Sequence, residues 1–435
     1  MKRQIRIYSL VAAAVFLAIG MAACGKAENP DVNLIQESTE SKRYVNLFGP
    51  TEKSSPDAKN IARTAHEMTV LMAEEKLGIK VEYRTYTAED HQDKTYDDVT
   101  LDRANNCMDD LYLLNPDVIQ KLGTQGKLAD LSDLKAAENL REVVKMANTI
   151  DGKLVAIPQE VVAYGLFVNQ DMFDEYKLSL PNTPEEFLNC CKVFKENGIE
   201  TPIGANRWWL ETFVFSQAYA GLYNEEDTDA KIQELNSGAA KYSDYMRPSF
   251  EFLKRLIDEG YVDAEKAYVS EALEGERDDF LSEKCPIVMA YWGAANADTA
   301  YGKPDFNMKV IGFPSSLGQM PVITITGYAV SAEAEHMEDA MAVLDVILSD
   351  EAMQIYTETN KVISPSKNVE VKCIDALKPL NDRVEEGVYV LASNASMKME
   401  QWGNVCLVVR KLLNGASVDE CMEEIDRLQE EAMHP

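Results

Sequence analysis

The chain has 435 residues, 46% of them hydrophobic, with 43 basic against 73 acidic side chains and a formal net charge of −30. A surface that acidic repels polyanions, which excludes nucleic acid as a main partner and excludes docking on anionic lipid through a basic patch. The length exceeds one ordinary core, so two lobes are expected.

At the N-terminus, Lys2, Arg3 and Arg6 precede a nearly unbroken apolar run from Leu10 to Ala23. The run is shorter than the roughly 20 residues of a membrane span. Its basic start and small-residue end have the form of an export signal. Met21-Ala22-Ala23-Cys24 resembles a bacterial lipobox, so residues 1–23 are expected to be a removed leader and Cys24 the lipidated residue. Residues 24–42 are polar and without period, as a flexible tether would be. Seven cysteines remain: Cys107, Cys190, Cys191, Cys285, Cys373, Cys406 and Cys421. An odd number cannot all pair within one chain, and most are expected to be small buried hydrophobes.

Tyr44 to Phe48 reads as a first strand, ending at Gly49-Pro50. Ser55-Pro56 opens a helix with Ser55 as N-cap, and Leu77-Gly78 closes it. Ile79 to Tyr83 alternates as a second strand. Thr87 to Asn106 is polar and helix-compatible, and Leu111 to Leu114 is a buried third strand. This alternation implies a parallel sheet covered by helices, with ligands beyond the carboxyl ends of its strands. Val155 to Pro158 reads as a strand, and Tyr164 to Asn169 as another. Thr183, Pro184 and Glu186 form a capping box for a helix stopped at Asn197-Gly198. Phe213 to Gly260 reads as several helices, Pro286 to Ala290 and Val322 to Val330 as strands, and Met337 to Leu348 as an amphipathic helix. The last ~70 residues look mainly helical.

Four stretches carry a family resemblance. They are Asp110 to Asp117 with Gly126 to Leu131; Asp151 to Pro158 with Gly165 to Phe173; Pro181 to Phe187; and Phe280 to Trp292 with Thr326 to Ser331. In this order the chain resembles the bacterial extracellular solute-binding proteins of the maltose-binding type. Val168 and Gln170 stand where the family has Tyr and Lys. The resemblance implies an α/β, two-lobe periplasmic-binding-protein-like fold of type II, with crossover strands and a hinged cleft. Lobe one would hold 43–162 and 325–362, and lobe two 163–324 and 363–435. It also implies a monomer anchored on the extracytoplasmic face of the membrane that delivers a solute to ABC permease subunits.

A sugar offers apolar C–H faces and polar edges, so its site needs flat aromatic platforms and fixed hydrogen-bonding groups. Candidate platforms are Trp292 after a strand, Trp208 and Trp209 in what reads as a loop, and Trp402 between helices. Candidate polar partners are Asn115 and Asp117 after the third strand, Glu52 after the first, Glu160 and Tyr164 in the first crossover, Tyr328 in the third, and Arg207. Asp117 has a bland alternative as a cap of the helix that begins there. The four histidines lack zinc spacing, and no GxSxG turn occurs, so no metal, cofactor or catalytic residue is expected. The alternatives are an exported glycoside-hydrolase lipoprotein using two of the many carboxylates, and a binding protein for a peptide or polyol.

Overall fold

The computed structural model describes residues 43–50, 65–86, 94–269, 275–291, 304–370 and 372–434. The leader, Cys24, the tether, Glu52, the helix start at Ser55-Pro56 and Trp292 lie outside the described residues. The strands are β1 Tyr44–Gly49, β2 Lys80–Thr85, β3 Leu111–Leu114, β4 Thr149–Ile150, β5 Lys153–Leu154, β6 Val162–Asn169, β7 Ile203–Gly204, β8 Ile287–Tyr291, β9 Met308–Ile311, β10 Phe313–Ser315, β11 Gly318–Met320, β12 Val322–Thr324, β13 Gly327–Val330 and β14 Val390–Leu391.

Two sheets organise the molecule. The first runs β13-β3-β1-β2 and the second β14-β12-β6-β8-β7, with β9 also paired to β6. In the first, β1 pairs parallel with both β2 and β3. Its inward positions Val45, Leu47, Leu111 and Leu114 are fully buried, as expected of a sheet covered on both faces. The expectation of a parallel sheet needs one amendment, because β13 joins β3 antiparallel. β13 arrives from the other sheet rather than over a crossover helix, so parallel geometry is not imposed on it. The second sheet is built on β6, which pairs antiparallel with β8, β9 and β12.

Local signals set several helix ends. Helix Ala65–Leu77 stops at Gly78, whose φ of +65° suits glycine. Helix Pro184–Glu196 has the expected capping box, with Thr183 accepting from the Glu186 N–H. The helical stretch up to Gly260 resolves into Arg207–Ala218, Ala220–Asn224, Thr228–Ser237 and Tyr242–Asp258.

Three sequence-based expectations are corrected. The β-branched run from Val322 to Val330 is two strands in different sheets, β12 and β13, broken at Ile325-Thr326. Val155 to Pro158 is not a strand: only Ile157 makes a bridge, to Tyr328. Trp208 and Trp209 are helical, because Asn206 caps Arg207–Ala218 through its side chain. The C-terminal region is mainly helical as expected, with helices Lys378–Glu385, Trp402–Leu413 and Val418–Met433, and residues 392–401 form an irregular strap between them. Its Ala395 N–H donates to the Ala147 carbonyl at 2.8 Å, and Ala395 is buried in the core of the first sheet.

The chain passes between the sheets in segments that lie side by side. Ile157 and Tyr328 exchange both backbone hydrogen bonds, at 3.0 and 2.8 Å, and the Val161 N–H donates to the Ile363 carbonyl at 2.9 Å. Gly327 is required at this crossing, since a Cβ there would sit 2.7 Å from the Cβ of Ala156. The seven cysteines are all free; five are buried, and Cys107 and Cys373 are partly exposed.

Candidate functional site

At the carboxyl ends of the first sheet, Tyr96 stacks on Phe48 at 5.8 Å and meets Tyr86 edge-on at 5.7 Å. Asn115, the residue before helix Pro116–Thr124, makes no capping bond; its side-chain amide donates to Asp97 at 2.8 Å. Asp117 does not cap its own helix. Its Oδ2 accepts from the Gly403 N–H at 2.7 Å, at the start of helix Trp402–Leu413, which packs against helices Arg207–Ala218 and Val418–Met433. Burial raises the Asp117 carboxyl to about 6.

Aromatic rings cluster around β6 of the second sheet. Tyr164 on β6 lies 6.0 Å from Trp209, 6.2 Å from Tyr291 and 6.2 Å from Trp402, measured between ring centroids. Trp402 stacks on Phe215 at 6.1 Å with planes 9° apart. It is the first residue of its helix and is half-buried. Trp209 is buried, and its indole N–H donates to the buried Glu276 at 3.3 Å; Asn206 donates to the same oxygen at 2.5 Å. Buried donors of this kind fix an indole in one orientation. The neighbouring Trp208 turns outward and is 39% exposed. The Arg207 and Arg410 guanidiniums lie 5.1 and 5.8 Å from its ring. Arg410 is in turn held by the buried Glu211 at 2.6 Å.

Glu160 and Tyr328 occupy the crossing segments. Tyr328 is buried, with its hydroxyl 2.6 Å from His66 Nδ1 and 3.2 Å from Gln159 Oε1. The Gln159 amide donates to Thr69 and to the Ile347 carbonyl, each at 3.0 Å. Tyr328 is thus occupied in holding the crossing to helix Ala65–Leu77. Glu160 differs: burial alone raises its carboxyl, and it lies in the field of Tyr164, Tyr291, Tyr328 and Tyr356 without a hydrogen-bond partner among the described residues. Glu160 is half-buried, so its carboxylate keeps access to the outside of the fold.

The candidates divide accordingly. Trp209, Trp402 and Tyr164 come together on one surface, and Glu160 lies near Tyr164. Trp208 is exposed, with the Arg207 guanidinium against its ring. Asn115 and Asp117 are engaged within the protein, and Tyr328 in the crossing. Tyr291, Glu276, Asn206, Gln159 and His66 were not singled out from the sequence. Only Tyr291 had a local signal, its place at the end of β8; the others are defined by partners distant in the chain.

Two open α/β sheets linked by adjacent crossing segments have the two-lobe architecture of the periplasmic-binding type. The structure of apo RafE from Streptococcus pneumoniae matches with a TM-score of 0.68 and 16% identity, over 90% of this chain and 98% of that one. The GacH receptor of Streptomyces glaucescens, solved unliganded and with acarbose, matches with a TM-score of 0.67 and 16% identity, over 91% and 99%. A sugar transporter from Bacillus licheniformis, in complex with stachyose, matches with 0.64 and 18%, over 88% and 98%. A comparison with curated protein sequences finds no significant match. The family model described as bacterial extracellular solute-binding protein matches residues 59–354. The chain belongs to that family. Among the described residues, no helix is long and apolar enough to cross a membrane.

Proposed function

We propose that this chain is the extracytoplasmic substrate-binding component of an ABC importer and holds a carbohydrate, a mono- or oligosaccharide, between its lobes without altering it. The observation that carries this reading is the pairing of the Tyr164, Trp209, Tyr291 and Trp402 rings with the partnerless Glu160. Rings stack on C–H faces, and a carboxylate accepts from hydroxyls. Relatives solved with raffinose, stachyose and acarbose support a sugar as the ligand class. The proposed lobes are 43–162 with 325–362, and 163–324 with 363–435. Trp292, which follows Tyr291 at the end of β8, is proposed as a further platform, and Glu52 as a polar contact. Cleavage before Cys24 and lipidation of its thiol would keep the protein at the membrane beside its permease. Each buried methylene of the acyl chains contributes about 0.8 kcal/mol.

A thermal-shift screen of neutral mono- and oligosaccharides tests the ligand class. A ligand at 100 times its Kd stabilises by about 2.7 kcal/mol, a readily measured shift. A screen in which only peptides or polyols shift the transition contradicts the carbohydrate reading, and hydrolysis of a bound saccharide contradicts the transport reading.

A further inference from the structure

We propose that Asp117 is a positioning residue that reaches from the first lobe to cap helix Trp402–Leu413, and so sets the Trp402 platform relative to the first lobe. The inference rests on reading Trp402 as part of the ligand site.

The helix lacks a cap of its own. Its preceding residue, Gln401, has φ −85° and ψ −55° and makes no side-chain capping bond. The Gln401 side chain is spent elsewhere, contacting the Tyr219 hydroxyl and donating to the Met399 carbonyl at 2.6 Å. The first N–H groups of a helix need acceptors, and a carboxylate there also interacts favourably with the helix dipole. Asp117 meets that need from 286 positions away in sequence, at 2.7 Å from the Gly403 nitrogen. Glycine at 403 permits the approach, since a Cβ there would sit 3.1 Å from Asp117 Oδ2.

The surroundings fix both partners. Gln120, on the same helix as Asp117, donates to the Met397 and Lys398 carbonyls at 3.1 and 3.0 Å, and Lys121 pairs with Glu400 at 2.9 Å. The strap preceding Trp402 is therefore held to the first lobe. On the other side, Trp402 lies between Phe215 and Tyr164. Displacement of the helix start would shift the indole against Tyr164, the ring it shares the surface with.

The cap is sensitive to protonation, because only a carboxylate supplies both the charge and the full acceptor. The titratable or charged groups facing Asp117 are Asp97 on helix Tyr96–Asn105, Glu400 on the strap, Lys121 on its own helix and Cys406 on the capped helix. Two of these are acids, which together with burial favour protonation of Asp117 in mildly acidic solution.

Ligand-free hydrogen exchange at the Gly403 amide, corrected for intrinsic rate, tests the cap. We expect the wild-type amide to lose about ten-fold of its protection between pH 7.5 and pH 5. Asp117→Asn keeps an acceptor oxygen without the charge, so its Gly403 amide should show at every pH the reduced protection of the wild type at pH 5; Asp117→Ala should be less protected still. The Trp402 resonance in fluorotryptophan spectra should move in Asp117→Ala and be restored in Asp117→Asn at pH 7.5. A pH dependence in Asp117→Asn equal to that of the wild type overturns the proposal, as does an unmoved Trp402 resonance in Asp117→Ala. Neither readout uses a ligand, so a failed saccharide screen bears on the ligand class and leaves this result separate.

Discussion

The Tyr328 hydroxyl lies 2.6 Å from His66 Nδ1, joining the segment that returns the chain to the first sheet to helix Ala65–Leu77. The two rings are parallel within 5° at 5.9 Å, and Tyr83 closes the imidazole edge-on at 4.9 Å. Burial lowers His66 to about 4 from its ordinary 6.5. Between these values the unfolded chain binds a proton that the native chain refuses. The stability from a neutral His66 is complete above about pH 6.5 and is lost as pH falls toward about 4, at most roughly 3 kcal/mol. Asp117, raised to about 6, favours the folded state on acidification and works in the opposite sense. The expected result is therefore a difference: urea unfolding of His66→Gln should lose about 2 kcal/mol less than wild type between pH 7.5 and 4.5. Parallel stability curves for the two proteins would show that His66 titrates normally.

Gly165 is the place where the second sheet tolerates no side chain. A Cβ there would lie 2.3 Å from the Ile311 carbonyl oxygen, on the paired strand β9. Backbone in the middle of a sheet cannot step aside, so Gly165→Ala should cost about 3 kcal/mol or more and lower the denaturation midpoint. A change below about 0.5 kcal/mol would mean that β6 and β9 are further apart than described.

Elements defined by neighbours in sequence were the legible ones. Thr183 and Glu186 are three residues apart, so their capping box could be read directly; β1, β3 and the turn at Gly78 are equally local. Elements defined by distant partners were not. The run from Val322 to Val330 is uniformly strand-like, and its break is set by pairing with Tyr164 on one side and Leu113 on the other. Asn206 as the cap that makes Trp208 and Trp209 helical required knowing where that helix begins. Asp117 looked like a local cap because it stands in the first turn of a helix, and nothing near it in sequence points to Gly403. The family resemblance supplied the fold class, while the arrangement of rings around Tyr164 came only from the structure.

Glu276 lies at the base of the aromatic surface, accepting from Asn206 and Trp209. Trp209→Phe removes one donor and leaves the buried carboxylate with less compensation, at a cost of about 1–3 kcal/mol. Stability should fall by that amount in denaturant, and ligand affinity should fall with it as the ring loses its fixed orientation. Equal stability of the variant would show that the bond between indole and carboxylate contributes nothing.

Glu160 should matter for binding more than for folding. Its carboxylate has no protein donor to lose, so Glu160→Gln should leave the denaturation midpoint unchanged or higher. The loss of a charged acceptor toward ligand hydroxyls corresponds to about 1.5–3 kcal/mol, at least ten-fold in Kd. Because burial raises its titration, wild-type affinity should weaken on acidification, and that part of the pH dependence should vanish in the variant. Calorimetric titration at pH 7.5 and pH 5 reads both effects.

The most direct test is calorimetric titration of the chain lacking residues 1–23 with the saccharide that gives the largest thermal shift, beside Trp402→Ala and small-angle scattering of both proteins. Saturable binding at one site, a smaller radius of gyration with ligand, and affinity reduced about ten-fold or more in a folded Trp402→Ala are the predicted result. Undiminished affinity in Trp402→Ala, or tight binding with no change in dimensions, would contradict a ligand held on that surface between closing lobes.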